Sequence, residues 1–301
     1  MNKFLLPFLF LLLLSPSPAE DVKTRKEVSD YLQNISVTIR AEDDYQKSEG
    51  SGVLITREIE GKKITFVWTA GHVINNLREV RNVIVDGSSK KIVEFGDVQI
   101  IKELVEGGRR VGEIQMDATV IKFSDATDGQ DLALLMVRAK DYGKDNANFY
   151  LSHEEPIIPI GSRLFHVGSL LGQMGSNSMT SGIVSQVGRT HGKMEFDQTT
   201  VTAFPGSSGG GVYLQDGRYV GMLVRGAGEN FNLMVPIRRI KKWAKDHDLL
   251  WAIDPSQKLP TFKEIREIPV EDSGFRGVSS KEGGTKETRR LPYLLRVTST
   301  D

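Results

Sequence analysis

Cysteine is missing from all 301 positions of this chain, which excludes disulfides, thiolate-held metals and a cysteine nucleophile together. Stability has to come from packing. A charge imbalance is missing too. Lys+Arg and Asp+Glu stand at 39 each, so no global field points to nucleic acid or an anionic membrane, and selectivity must arise at a local site. Histidine is scarce at five, and no pair stands in the H-E-x-x-H spacing of a helical zinc site, so neither a metal nor a cofactor is expected. No apolar run is long enough to span a bilayer as a helix: the longest, Phe4 to Leu14, falls short of the ~20 residues required.

That run has another reading. Lys3 precedes it and Ser15-Pro16-Ser17-Pro18-Ala19 follows, giving the basic start, apolar segment and small-residue site of a secretory signal peptide over residues 1–19. The expectation is a mature chain beginning at Glu20 in an extracytoplasmic, periplasmic or secreted, location.

What is present is mostly strand. A charged stretch, 21–33, reads as a short helix. After it, Ile35 to Arg40, Gly52 to Thr56, Ile64 to Thr69, Asn82 to Asp86, Ala118 to Phe123 and Leu132 to Val137 are short β-branched and apolar runs between polar or glycine-bearing segments. A second series follows: Arg163 to Val167, Gly182 to Gly188, Met194 to Thr200, Gly211 to Leu214, Tyr219 to Val224 and Asn232 to Val235, with a turn signal at Asp216-Gly217. Pro236 suits a first helical position, and Ile237, Ile240, Trp243, Ala244 and Leu250 recur near helical spacing. From Asp254 onward proline, glycine and charge dominate, so 254–301 reads as a polar, partly disordered tail, with Leu291 to Val297 as a docking strand.

Three motifs carry chemistry. Phe204-Pro205-Gly206-Ser207-Ser208-Gly209-Gly210-Gly211 sets a serine among glycines, Thr69-Ala70-Gly71-His72 offers a histidine, and Asp131 opens the apolar run Leu132-Ala133-Leu134-Leu135. Glycine-serine runs also make plain turns, and a lone histidine is more often structural than functional. A serine hydroxyl, however, becomes a nucleophile only beside a base whose tautomer a third group fixes, and these motifs supply all three. His72 and Asp131 are 59 residues apart and Asp131 and Ser208 are 77 apart, room for several strands between each pair. Asp125 and Asp128 compete with Asp131 but sit in a polar loop, and Ser207 competes with Ser208, which directly precedes Gly209-Gly210.

In this order, histidine, aspartate, serine, the motifs resemble the catalytic signatures of trypsin-like serine peptidases; subtilisins and α/β-hydrolases use other orders. Met179-Thr180-Ser181-Gly182-Ile183-Val184-Ser185-Gln186-Val187-Gly188-Arg189 resembles the strand leading toward the nucleophile loop in the HtrA/Deg-type bacterial proteases. The resemblance covers roughly residues 34 to 250, and departs from the usual pattern at Ser207, where asparagine or aspartate is common, and at Gly211, where proline is common.

The resemblance implies an all-β fold of two six-stranded antiparallel β-barrels of chymotrypsin type with a C-terminal helix. The protease domain would span 20–253, with barrel 1 at about 34–140, barrel 2 at about 150–236 and the helix at 236–250. The stretch after it is too short for the PDZ domain that HtrA-type proteases usually carry. The implied triad is His72, Asp131 and Ser208, with the amides of Gly206 and Ser208 as oxyanion hole. Thr202, six residues before the nucleophile, would floor the primary pocket and Val224-Arg225-Gly226 would wall it; an uncharged Thr202 disfavours a basic side chain there. Glu229, in the loop Gly226 to Asn230, could restore such a preference. No Ile-Val-Gly-Gly start is present for zymogen-style activation, which puts regulation in segments such as Leu170 to Ser178, ordered by homo-oligomerisation or ligand. The implied partners are protein or peptide substrates, unfolded proteins among them, with no nucleic acid and no stable membrane span. The alternative is a catalytically silent trypsin-fold binding protein.

Overall fold

A computed structural model describes residues 25–271, apart from 86–87, 107–108, 141, 144–145, 152–155, 227 and 229. The signal-peptide segment, Glu229 and Leu291 to Val297 therefore lie outside the described residues.

The chain opens with α1 (Arg25–Asn34), whose Val28 and Leu32, one turn apart, are buried. A first barrel follows, built from β1 (Ser36–Glu42), β2 (Lys47–Ile59), β3 (Lys62–Thr69), β6 (Val98–Glu106), β7 (Arg109–Ser124) and β8 (Leu132–Lys140). It closes in the order β1-β2-β3-β8-β7-β6, every pairing antiparallel. Between β3 and β6 come a single helical turn, α2 (Gly71–Ile74), and a separate hairpin of β4 (Arg78–Val85) and β5 (Ser88–Phe95).

The second unit contains β10 (Arg163–Leu170), β11 (Gly175–His191), β12 (Met194–Thr199), β13 (Gly211–Leu214), β14 (Arg218–Gly226) and β15 (Asn232–Pro236). They pair antiparallel in the order β13-β10-β11-β12-β15-β14, and a β13–β14 pairing closes the ring. β9 (Asn148–Phe149) adds a seventh strand, parallel to β14. This is the expected pair of six-stranded barrels, with the short β9 as an addition.

Two details differ from the strand reading. Of the run Asn82 to Asp86, the described part, Asn82 to Val85, belongs to the hairpin, and the sixth strand of barrel 1 is β6. That strand hides its nature behind charge. Val98, Ile100 and Ile101 are buried, but so is Lys102, whose Nζ donates to the carbonyl of Gln33 at 2.9 Å, near the negative C-terminal end of α1.

Pro236 ends β15 and caps α3 (Ile237–Asp246), which lays Ile237, Ile240, Trp243 and Ala244 against the core. Trp243 meets Trp68 of β3 edge-on at 5.8 Å, and Trp251 meets Phe66 likewise at 4.9 Å. The Trp68 indole donates to the carbonyl of Ala252 at 3.1 Å. The segment leaving barrel 2 thus returns to barrel 1 and fixes the seam where the site lies.

Folded structure continues past Asp254, correcting the reading of a tail from that point. Thr261 and Glu264 form a reciprocal capping box that starts α4 (Phe262–Glu267), and Ile265 is buried. Beyond it the Phe123 amide donates to Val270 at 2.7 Å, Lys122 Nζ donates to the carbonyls of Pro269 and Glu271, and Glu271 pairs with Arg78 and Lys91. The turn chemistry of four residues, Thr261 to Glu264, outweighs the polar composition around it.

Candidate active site

β3 ends at Thr69 and the chain turns into α2, carrying His72 at its start. Gly71 is required there, because a Cβ at that position would lie 2.3 Å from the carbonyl oxygen of Ser124, the last residue of β7. The turn therefore packs directly on the strand end that leads to Asp131.

Residues 125–130 link β7 to β8. The Asp125 carboxylate accepts from the Thr127 amide at 2.6 Å, its carbonyl accepts from the amides of Gly129 and Asp131, and Ser124 Oγ accepts from the Gln130 amide at 2.7 Å. Asp125 is thus spent on folding the loop. Asp131 emerges with φ of +56°, a left-handed conformation that aspartate tolerates better than most residues. Its buried carboxylate accepts the His72 amide at 3.0 Å and contacts His72 Nδ1 at 3.0 and 2.9 Å.

Burial would push the Asp131 carboxyl up, but the His72 charge and hydrogen bonds, with Arg225 beyond, outweigh it and hold the group below the usual carboxylate range. An ionised carboxylate only accepts, so His72 Nδ1 carries the proton and, in the neutral ring, Nε2 carries the lone pair. Nε2 is buried and without a partner among the described residues.

The loop between β12 and β13 brings Ser208 to the same place. A Cβ on Gly209 would lie 3.0 Å from the Ala70 nitrogen, so the loop rests on the segment that carries His72. Ser51 of β2 pins it: its amide donates to the carbonyl of Ser208 at 2.7 Å, its Oγ donates to that of Gly206 at 2.7 Å, and the same Oγ accepts from the Ser169 amide at 2.7 Å. Gly206 has φ of +93°, and a Cβ there would strike the Ser169 carbonyl at 2.2 Å.

Among the described residues, neither the Gly206 nor the Ser208 amide has an acceptor. Ser207 is buried, its Oγ taken by the Phe204 amide at 3.1 Å. Ser208 Oγ is turned to the carbonyl of Val224 at 3.4 Å rather than to His72.

Val224 lies where β14 bulges out of register with β15, between Leu223 and Arg225. Its side chain is buried, Gly226 is exposed, and the Arg225 side chain runs toward the loop before Asp131, where it donates to the carbonyl of Ala126 at 3.2 Å. Thr202 is exposed, with its carbonyl accepting from Thr180 Oγ1 at 3.0 Å. The side chain that spans the space between the 201–203 and 224–226 segments is Asn232 of β15. It is buried, donates to the Val201 carbonyl at 2.7 Å, and places Oδ1 2.6 Å from where a Cβ on Gly226 would sit.

Neither Ser51 nor Asn232 stands out in the sequence. Asn232 has one signal, a polar residue heading the apolar run Leu233-Met234-Val235, whereas Ser51 sits in the polar, glycine-bearing first half of β2 and has none. Among the described residues no group of His, Asp or Glu could hold a metal, and no helix is long and apolar enough to cross a membrane.

A family model described as trypsin-like peptidase domain matches residues 50–222, from the glycine before Ser51 through both barrels into β14. Among solved structures, the serine endoprotease from Yersinia pestis matches at a TM-score of 0.52 and 16% identity, covering 77% of this chain and 68% of that one. The HtrA-type protease AlgW with a tripeptide matches at 0.52 and 18%, covering 76% and 64%. At these identities the likeness is one of fold. No curated protein sequence matches the chain.

Proposed function

The chain belongs to the trypsin-like peptidase family, and from that premise we propose that it is a serine endopeptidase working through His72, Asp131 and Ser208. One observation carries the proposal: the buried Asp131 carboxylate lies 2.9 Å from His72 Nδ1, placed to accept a hydrogen bond from it, and Nε2 is left unpartnered among the described residues, free to serve as base beside the Ser208 loop. Rotation of Ser208 about its Cα–Cβ bond, away from Val224, would offer the hydroxyl proton to that base.

The reaction then runs in two halves. Oγ of Ser208 attacks the scissile carbonyl as His72 takes its proton, and the amides of Gly206 and Ser208 receive the oxyanion, each such donor being worth about 3 kcal/mol of barrier. The imidazolium passes its proton to the leaving amine, and an acyl-enzyme remains on Ser208. Water attacks it with His72 again as base, releasing acid and restoring the hydroxyl.

Substrate would be a protein or peptide, unfolded protein included, lying extended along Val224 to Gly226. Asn232 and the uncharged Thr202 favour a neutral side chain of modest size before the cut. The signal-peptide reading of residues 1–19 supports a reaction outside the cytoplasm, and assembly into homo-oligomers is compatible with the proposal. The competing reading, a silent binding protein on the same fold, draws on the Ser208 Oγ contact with Val224.

Labelling with a fluorophosphonate probe separates the two. The expected result is stoichiometric labelling of the parent, none of Ser208→Ala, and cleavage of denatured protein after small neutral residues. A parent that resists the probe and leaves protein uncut is the outcome that would favour the binding protein.

A further inference from the structure

Beside the triad lies an arrangement that the chemistry above does not use. Phe196 of β12 is 1% exposed, and two guanidinium groups lie over its ring: that of Arg239 in α3 at 4.7 Å and that of Arg225 in β14 at 5.4 Å. Like charges gathered round one ring in a half-buried place are costly unless something offsets them. Among the described residues neither guanidinium is paired with a carboxylate. The nearby acids Glu195 and Asp197 are engaged by Arg238 instead.

The hydrogen bonds run to a loop. Arg239 donates Nη2 to the carbonyl of Gln130 at 2.9 Å, Nε to Gln130 Oε1 at 3.1 Å, and Nη1 to the carbonyl of Glu195 at 2.6 Å. Arg225 donates to Ala126 at 3.2 Å. The two thus grip the 125–130 loop near both ends, and Gln130 is the residue before Asp131. Glu195 offsets the charge of Arg239 in part, and the other compensating charge is that of Asp131. It supports the protonated form of Arg239, although burial still pulls that group down to about 10, and Arg225 in turn stabilises the carboxylate. Asp131 is thus faced by His72 from α2, Arg225 from β14 and Arg239 from α3.

We propose that Arg225 and Arg239, stacked on Phe196, are positioning residues: they clasp the 125–130 loop from barrel 2 and the closing helix, and so aim the Asp131 carboxylate at His72. The proposal rests on the reading of Asp131 and His72 as a working pair. It makes the aspartate, although carried by barrel 1, dependent on the half of the molecule that carries the nucleophile.

The test is Arg239→Gln in the full chain, with two readouts. Steady-state kinetics should show kcat falling by roughly 10- to 100-fold with KM within about twofold, as for a misplaced group that does not touch substrate. Proton NMR should show the downfield His72 Nδ1 resonance shifted or broadened, and Arg239→Lys, which keeps the charge, should restore part of both. A folded Arg239→Gln with unchanged resonance overturns the proposal, whatever its activity, and so does a rise in KM alone. Should Arg239→Gln not fold, Arg225→Gln, which loses one hydrogen bond, is read by the resonance alone: a shift supports the proposal and no shift overturns it. The resonance does not depend on turnover, so a parent inert to the fluorophosphonate probe would sink the peptidase reading while the clasp was still judged.

Discussion

His166 lies one layer beneath the Ser208 loop, fully buried, with Nδ1 donating to the carbonyl of Gly211 at 3.0 Å and Nε2 without a partner among the described residues. Burial pulls its pKa from 6.5 down to about 4, against a smaller opposing effect of the Gly211 bond. The folded state therefore holds His166 neutral where the unfolded chain would already be protonated. Stability is full above pH 6.5 and is lost as pH falls toward 4, by roughly 3 kcal/mol in all. The thermal midpoint of the parent should drop more between pH 7 and pH 4.5 than that of His166→Gln, which can keep the bond to Gly211. Parallel drops would mean that the acid sensitivity comes from elsewhere. Thr69-Ala70-Gly71 before it singles His72 out in the sequence, whereas His166 follows Leu164-Phe165 in a strand like any other and gives no sign of lying under the Ser208 loop.

At the scale of elements, the strands that pair through long runs of β-branched residues could be read directly. The elements that escaped are those whose charges are satisfied by distant backbone. In β6, Lys102 serves the end of α1. Past Asp254, Lys122 of β7 reaches forward to Pro269 and Glu271. No local pattern contains a partner 147 positions away. The same holds at the site: the glycine-serine motif announces Ser208, but the Ser51 hydroxyl that ties the loop to barrel 1 is 155 residues from Gly206. The C-terminal contacts give a sharp expectation. Truncation after Asp254 removes α4, uncovers the pocket of Ile265 and leaves Lys122 and Arg78 without Glu271. It should cost at least about 2 kcal/mol, or roughly 4–8 °C in the midpoint. Truncation after Glu271 removes a segment too polar for a core of its own and should leave the midpoint unchanged. Equal midpoints for the two truncations would show that α4 adds nothing to the fold.

For the whole molecule, the question is whether two barrels make one cooperative unit or two. The main core answers through its membership: Trp68, Phe123 and Leu135 of barrel 1 belong to one continuous buried cluster with Tyr213, Met222 and Val235 of barrel 2, and Trp243 of α3 joins them. The cluster confined to barrel 2, around Leu164, Val184, Val212 and Val220, is much smaller. A seam of this kind leaves neither barrel a complete core without the other, and it also runs under the site, where the segment carrying His72, from the first barrel, meets the Ser208 loop, from the second. Unfolding should therefore be a single transition, reported alike by tryptophan fluorescence, since Trp68, Trp243 and Trp251 all lie in the seam, and by far-ultraviolet circular dichroism, which averages over both barrels. Trp243→Ala would open a cavity against Trp68 and cost about 3–5 kcal/mol, and because the cavity lies between the barrels both signals should move to lower temperature together. If fluorescence shifted while a major part of the dichroism transition stayed at the parental midpoint, the barrels would be independent units, and coupling of Asp131 to Ser208 would rest on local contacts such as those of Ser51 and Arg239 rather than on a shared core.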